Sequence, residues 1–338
     1  MTIIRQPVPD LMKGIAVIAM IQVHIMELFA RPDLFESLVG KISLFIGGPF
    51  AAPVFMAVMG YFMAGSKRRT GEKVKRGIYL ILLGLILNIG LNLHLLIKIY
   101  NGTFDLNPLE YIFGADILPL AGLSILVIVL LETFSKRPLL HALTIALVIP
   151  ILHPLLPDLP EKMKYIQAFF YGDYSWSYFP LMPWLAYPLL GYGFYKFKET
   201  MPAEFERLNR SRTVILIISF IIIILLFLPA FKIVTDLPSY YHHQVFLFVW
   251  IAIFLIIFTW LARQLESFCG TIPVMKYIKW LGKNVTVVYV VQWLIIGNIA
   301  TAIYQTQHLL NVIIWFIAIL GMVSLVTYGS IKLKKIYF

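Results

Sequence analysis

The sequence predicts an all-α, polytopic membrane protein: a transmembrane helix bundle of about ten spans with both termini cytoplasmic. Three observations carry this reading. Of 338 residues, 60% are hydrophobic and 13% charged, against about 45–50% and about 25% in an ordinary soluble domain. The apolar residues form long runs from one end of the chain to the other. The basic residues gather in alternate loops between those runs. The same composition excludes disorder, a collagen-like fibre and a disulfide scaffold. Cys269 stands alone, so no intrachain bridge and no CxxC or Cys/His metal spacing exists. The formal net charge of +11 then records orientation in a membrane, with no nucleic-acid partner implied.

The apolar runs lie at 11–29, 42–64, 77–97, 116–133, 138–156, 178–197, 213–231, 245–263, 284–304 and 309–331. About 20 apolar residues cross a hydrocarbon core. None of the runs alternates apolar and polar residues as barrel strands do. The first carries no cleavable-signal pattern: Arg5 is the only basic residue before Asp10, and no small-residue cleavage site follows, so it reads as a retained span. The second and third runs are joined through Lys67, Arg68, Arg69, Lys73, Lys75 and Arg76, the fourth and fifth through Lys136 and Arg137. The later loops on that side hold Lys196, Lys198, Arg207, Arg210 and Arg212, then Arg263, Lys276, Lys279 and Lys283, and the tail holds Lys332, Lys334 and Lys335. With Arg5 and Lys13, 22 of 28 basic residues share one side. Positive residues mark cytoplasmic loops, and an even number of spans returns both termini there. The expected location is a plasma (inner) membrane, crossed many times as one domain, 1–338, and surrounded by membrane lipid. Of the two longer outer loops, 157–177 is rich in Tyr and Trp, as interfacial anchors are; aromatic faces would also suit the wall of a sugar site. No internal repeat is visible, which disfavours a transporter built from inverted repeats.

Ionisable residues inside a span are expensive and mark candidate sites. The first run reads Asp10-Leu-Met-Lys13-Gly-Ile-Ala-Val-Ile-Ala-Met-Ile-Gln22-Val-His24. Eleven residues at about 100° each return Lys13 and His24 to one helix face, about 16 Å apart along the axis. Each also has a plainer reading. Lys13 is a snorkelling anchor, His24 an interhelical hydrogen-bond partner, and Asp10 and Asp116 are N-caps. His94 and His242 lie toward the outer ends of their spans. Adjacent His242 and His243 point about 100° apart on a helix, which argues against joint metal binding.

The segment DLMKGIAVIAMIQVH resembles the first-helix signature of the acyltransferase-three family and its relatives of the heparan-α-glucosaminide N-acetyltransferase type. That pattern is an Asp, then Arg-Gly, then a His ten positions after the Gly; here they are Asp10, Lys13-Gly14 and His24. Lys for Arg keeps the charge and loses the bidentate fork. GGPFAAPVFMAVMGYFMAGSKRR (47–69) resembles the second helix of the family. KVKRGIYLILLGLILN (73–88) puts Lys73 and Arg76 in the place of an Arg-x-x-Arg pair. YFPLMPWLAYPLLGYGFYK (178–196) is similar to a sixth-helix motif. WLGKNVTVVYVVQW (280–293) resembles a Leu-Gly-Lys…Tyr-x-x-His stretch with Gln292 in place of the His.

The resemblance implies transfer of an acyl group, acetyl in the first place, from cytoplasmic acyl-CoA to a sugar or glycan acceptor on the other side. His24 would serve as general base or, in a second route, as acyl carrier; apart from the resemblance, Asp116 is a further catalytic candidate because an intramembrane Asp is costly unless paired. Lys13, Lys73 and Arg76 would meet the phosphates of acetyl-CoA; apart from the resemblance, His94, His242 and Trp184 are candidates for the acceptor site. No metal is implied, and a homo-oligomer is compatible with the sequence. The competing reading is a secondary transporter or glycolipid exporter with His24 as proton relay.

Overall fold

A computed structural model describes residues 6–337. Arg5 lies outside the described residues, as do the side chains of Lys334 and Lys335. The described chain is helical almost throughout, with no strand; one isolated bridge joins Ala30 to Gln307. We number the principal helices in chain order: α1 Pro7–Phe29, α2 Leu38–Phe50, α3 Ala52–Ala64, α4 Thr70–Leu91, α5 Leu93–Tyr100, α6 Ile117–Phe134, α7 Pro138–Leu152, α8 Ala186–Thr200, α9 Pro202–Arg210, α10 Arg212–Leu225, α11 Phe227–Val234, α12 Val245–Cys269, α13 Pro273–Lys283, α14 Val285–Ile303 and α15 Leu309–Tyr337.

Among the described residues, eight helical stretches are long and apolar enough to cross a membrane, or nine with the bent α9–α10 pair counted as one span. The difference from ten has local causes. Run 178–197 holds Pro180, Pro183 and Pro188, and its helix shortens to a four-residue turn, Leu181–Trp184, followed by the 15 residues of α8. At 1.5 Å per residue α8 alone is shorter than a hydrocarbon core of about 30 Å. Run 213–231 divides at Leu226 into α10 and α11. The ring of Pro229 conflicts with the carbonyl four residues earlier, Leu225, where α10 stops.

The chain gathers into two compact units. The first comprises Met1–Ala52, Ile89–Pro108 and Phe258–Phe338; the second comprises Pro53–Asn88 and Leu109–Ile257. In the first, α1 is the central helix and packs against α2, α13, α14 and α15. Its Leu11, Ala16, Val17, Ile21 and Ile25 have no exposed surface. Glycine permits the tightest crossing. A Cβ on Gly14 would overlap the Ile278 carbonyl, and one on Gly282 would overlap the Asp10 carbonyl. These two contacts run in opposite senses, so α13 is antiparallel to α1. The chain then reverses at Asn284, and α14 returns alongside α1 to place Gln292 by His24 and Gln305 by Leu28.

In the second unit, Gly60 meets the Pro188 carbonyl and Gly191 meets the Ala57 carbonyl, which seats α3 against α8. Helix α8 also packs along α7. A part-buried ion pair, Lys73 Nζ to Glu132 Oε2 at 2.7 Å, ties the start of α4 to the end of α6. The outer faces of α10 and α15 expose Ile217, Ile221, Ile224, Ile314 and Ile317, as a lipid-facing surface requires.

Candidate active site

In the first unit, the site is built on α1. Near its N-terminal end, Lys13 Nζ pairs with Asp10 Oδ1 at 2.9 Å, one turn away, with side chains 16% and 11% exposed. The half-buried His24 lies three turns further along. Its Nδ1 is 3.3 Å from Gln292 Nε2. Its ring stands 4.1 Å, centroid to centroid, from Trp293 at an interplanar angle of 33°. Gln292 is wholly buried, yet its Oε1 has no hydrogen-bond partner, and neither has Trp293 Nε1. Unmet polar atoms of this kind are rare in folded cores. Here two of them sit on consecutive residues beside the one histidine of α1.

The opposite face of α1 is closed by different chemistry. Gln22 Oε1 accepts from Ser43 Oγ at 2.7 Å, and Gln22 Nε2 donates to the Ser43 carbonyl at 2.9 Å, tying α1 to α2. A hollow of about 310 Å³ beside it is lined by Ile15, Ile18, Ala19, Gln22, Ile46 and Phe50. These α1 positions lie about 120–180° of helical rotation away from His24, and all but Gln22 are apolar, so the hollow belongs to the apolar packing. His94 also lies in this unit. Its backbone N donates to Asn298 Oδ1 at 3.0 Å and its Nδ1 lies 3.2 Å from the Asn298 carbonyl, which joins α5 to α14.

The other sequence candidates belong to the second unit. Asp116 caps α6: its Oδ1 accepts from the Ile117 N–H at 2.7 Å, and the residue is 8% exposed. Asn88 holds the approach to that cap by donating to the Ile112 and Gly114 carbonyls. Lys73 is committed to Glu132, while Arg76 is exposed in the second turn of α4. Trp184 is fully buried; its indole N–H donates to the Tyr241 carbonyl at 2.8 Å and its ring meets His243 edge-on.

His242 and His243 turn to different neighbours. His242 Nε2 lies 3.3 Å from Asp173 Oδ1, and its ring stacks on His153 at 6.1 Å and 11°. Burial holds the His242 imidazole below its ordinary range, with Asp173 opposing the shift. His243 donates from Nδ1 to the Tyr240 carbonyl and accepts the Tyr187 hydroxyl at Nε2, both at 2.8 Å. Burial lowers its pKa to about 3. Among the described residues, no group of three or more His, Cys, Asp and Glu has the geometry to hold a metal.

Sequence reasoning placed His24 and Lys13 on one face of α1. It found Gln292 in the place of a motif's His without giving it a part in the site, and it did not single out Trp293. A signal was available, since Gln292 stands where the resembled motif has its His.

The first unit therefore brings together a histidine within the apolar α1, a lysine near the start of that helix and a buried amide on the returning α14. The acyltransferase-three family, described as an acyltransferase domain, matches residues 7–330. The chain belongs to this family and is a membrane acyltransferase. No curated protein matches it.

Proposed function

We propose that the chain moves an acyl group, acetyl in the first place, from acyl-CoA on the cytoplasmic side to a sugar or glycan hydroxyl or amine on the other side. The observation that carries this is His24: a half-buried imidazole within α1, on the Lys13 face, beside two buried polar groups that the protein itself does not satisfy. Lys13 supplies positive charge for the CoA phosphates, and the pantetheine arm runs along the α1 face toward His24. The neutral imidazole takes the proton from the acceptor O–H or N–H as that atom attacks the thioester carbonyl carbon. The C–S bond breaks, and the departing thiolate takes the proton from the imidazolium, returning His24 to its neutral form. Asp10 pairs with Lys13 within the same turn and orients it.

The test separates base from glue. His24→Gln preserves hydrogen-bonding capacity in the helix but cannot accept a proton at neutral pH. CoA-thiol release from acetyl-CoA with a saccharide acceptor should fall about 10²–10⁴-fold, with acyl-CoA affinity retained. Lys13→Ala should instead weaken acyl-CoA binding by about 1.5–3 kcal/mol, the worth of a charge-assisted contact. Near-normal turnover in His24→Gln would defeat the base assignment.

A further inference from the structure

A carboxamide has a donating and an accepting end, and so does a neutral imidazole. Gln292 presents its nitrogen to His24 Nδ1 and leaves its buried oxygen unpartnered. With an N–H donor at Nδ1, that ring nitrogen must accept, and the ring proton sits on Nε2. A histidine in this state offers an N–H at Nε2 and cannot take a proton there. When the amide turns by 180°, Oε1 faces Nδ1, the ring proton moves to Nδ1 by exchange through water reaching the half-buried ring, and Nε2 gains its lone pair. The imidazolium formed during transfer carries N–H at both nitrogens, and only the carbonyl end of Gln292 satisfies the one at Nδ1. Among the described residues, no other hydrogen-bond partner of His24 Nδ1 is present.

We propose that Gln292 is a positioning residue whose amide orientation sets the tautomer of His24: nitrogen toward the ring at rest, oxygen toward the ring whenever His24 works as base. This rests on the base reading of His24 given above. It also explains why a wholly buried amide is left half satisfied, since the second orientation uses the atom that the first one leaves idle.

The experiment compares Gln292→Met with Gln292→Glu, both nearly isosteric with glutamine. Met removes both amide atoms; Glu keeps only acceptors and fixes the ring proton at Nδ1. Gln292→Met should lose about 10–100-fold in kcat with its KM for acetyl-CoA within twofold of wild type, while Gln292→Glu should keep kcat within about fivefold. A purely structural glutamine predicts the reverse order, because an added buried carboxylate is worse for packing than a methionine. Wild-type kcat in Gln292→Met, or a Glu variant slower than the Met variant, overturns the proposal. Should Gln292→Glu fail to fold, the kcat of Gln292→Met decides alone. The two ideas fail separately. An active His24→Gln removes the base reading itself, whereas an inactive His24→Gln with a fully active Gln292→Met removes only the role of Gln292.

Discussion

His243 is held neutral by its surroundings, with one ring nitrogen on the Tyr240 carbonyl and the other under the Tyr187 hydroxyl. Its pKa is about 3 when folded and near the ordinary 6.5 when unfolded. The unfolded chain therefore binds a proton that the folded chain refuses between those values. The stability is fully present above about pH 6.5 and drains away as pH falls toward 3, with a slope approaching about 1.4 kcal/mol per pH unit. The thermal midpoint in detergent should drop on going from pH 7 to pH 5, and His243→Gln should flatten that dependence. A wild-type midpoint that holds steady over this range counts against the assignment. At this scale the face that His24 shares with Lys13 was legible, because the helical period alone sets it. The Tyr187–His243 bond was not legible, because 56 residues separate its ends and no local pattern links them. The same holds for Gln292, which meets His24 across 268 residues.

Helices were read from long apolar runs, and the eight candidate spans follow those runs. The misreadings lie where proline acts on the backbone while hydropathy stays high, at 180–188 and at Pro229. Glycine gives the complementary lesson. Gly14 and Gly282 each stand in a motif that resembles the family pattern, and each lets α1 and α13 approach with no side chain between them. Adding one methyl to Gly282 forces the backbones apart, so Gly282→Ala should cost about 1–3 kcal/mol and lower the thermal midpoint. Gly321→Ala is the control, since nothing lies within 4 Å of a Cβ there; its midpoint should hold or rise slightly. Equal midpoints for the two variants would show that the crossing tolerates a side chain.

Across the whole chain, the segregation of 22 of 28 basic residues predicts the orientation. On a Cys269→Ala background, single cysteines at 102–108 and 158–164 should react with an impermeant thiol reagent in intact cells. Cysteines at 65–75 and 200–210 should resist it. Reaction of the second set would reverse the orientation and remove the transmembrane direction of transfer. The Lys73–Glu132 pair also bears on how such a chain is made. Its partners are 59 residues apart, so at about 5–20 residues per second a ribosome delivers the carboxylate several seconds after the lysine. Until then Lys73 is stable only in water at the membrane boundary, and α4 cannot settle on α6. Docking of these two helices is therefore a post-insertion event timed by translation, and a pause introduced between them would prolong the interval in which quality-control proteases meet an unfinished membrane domain.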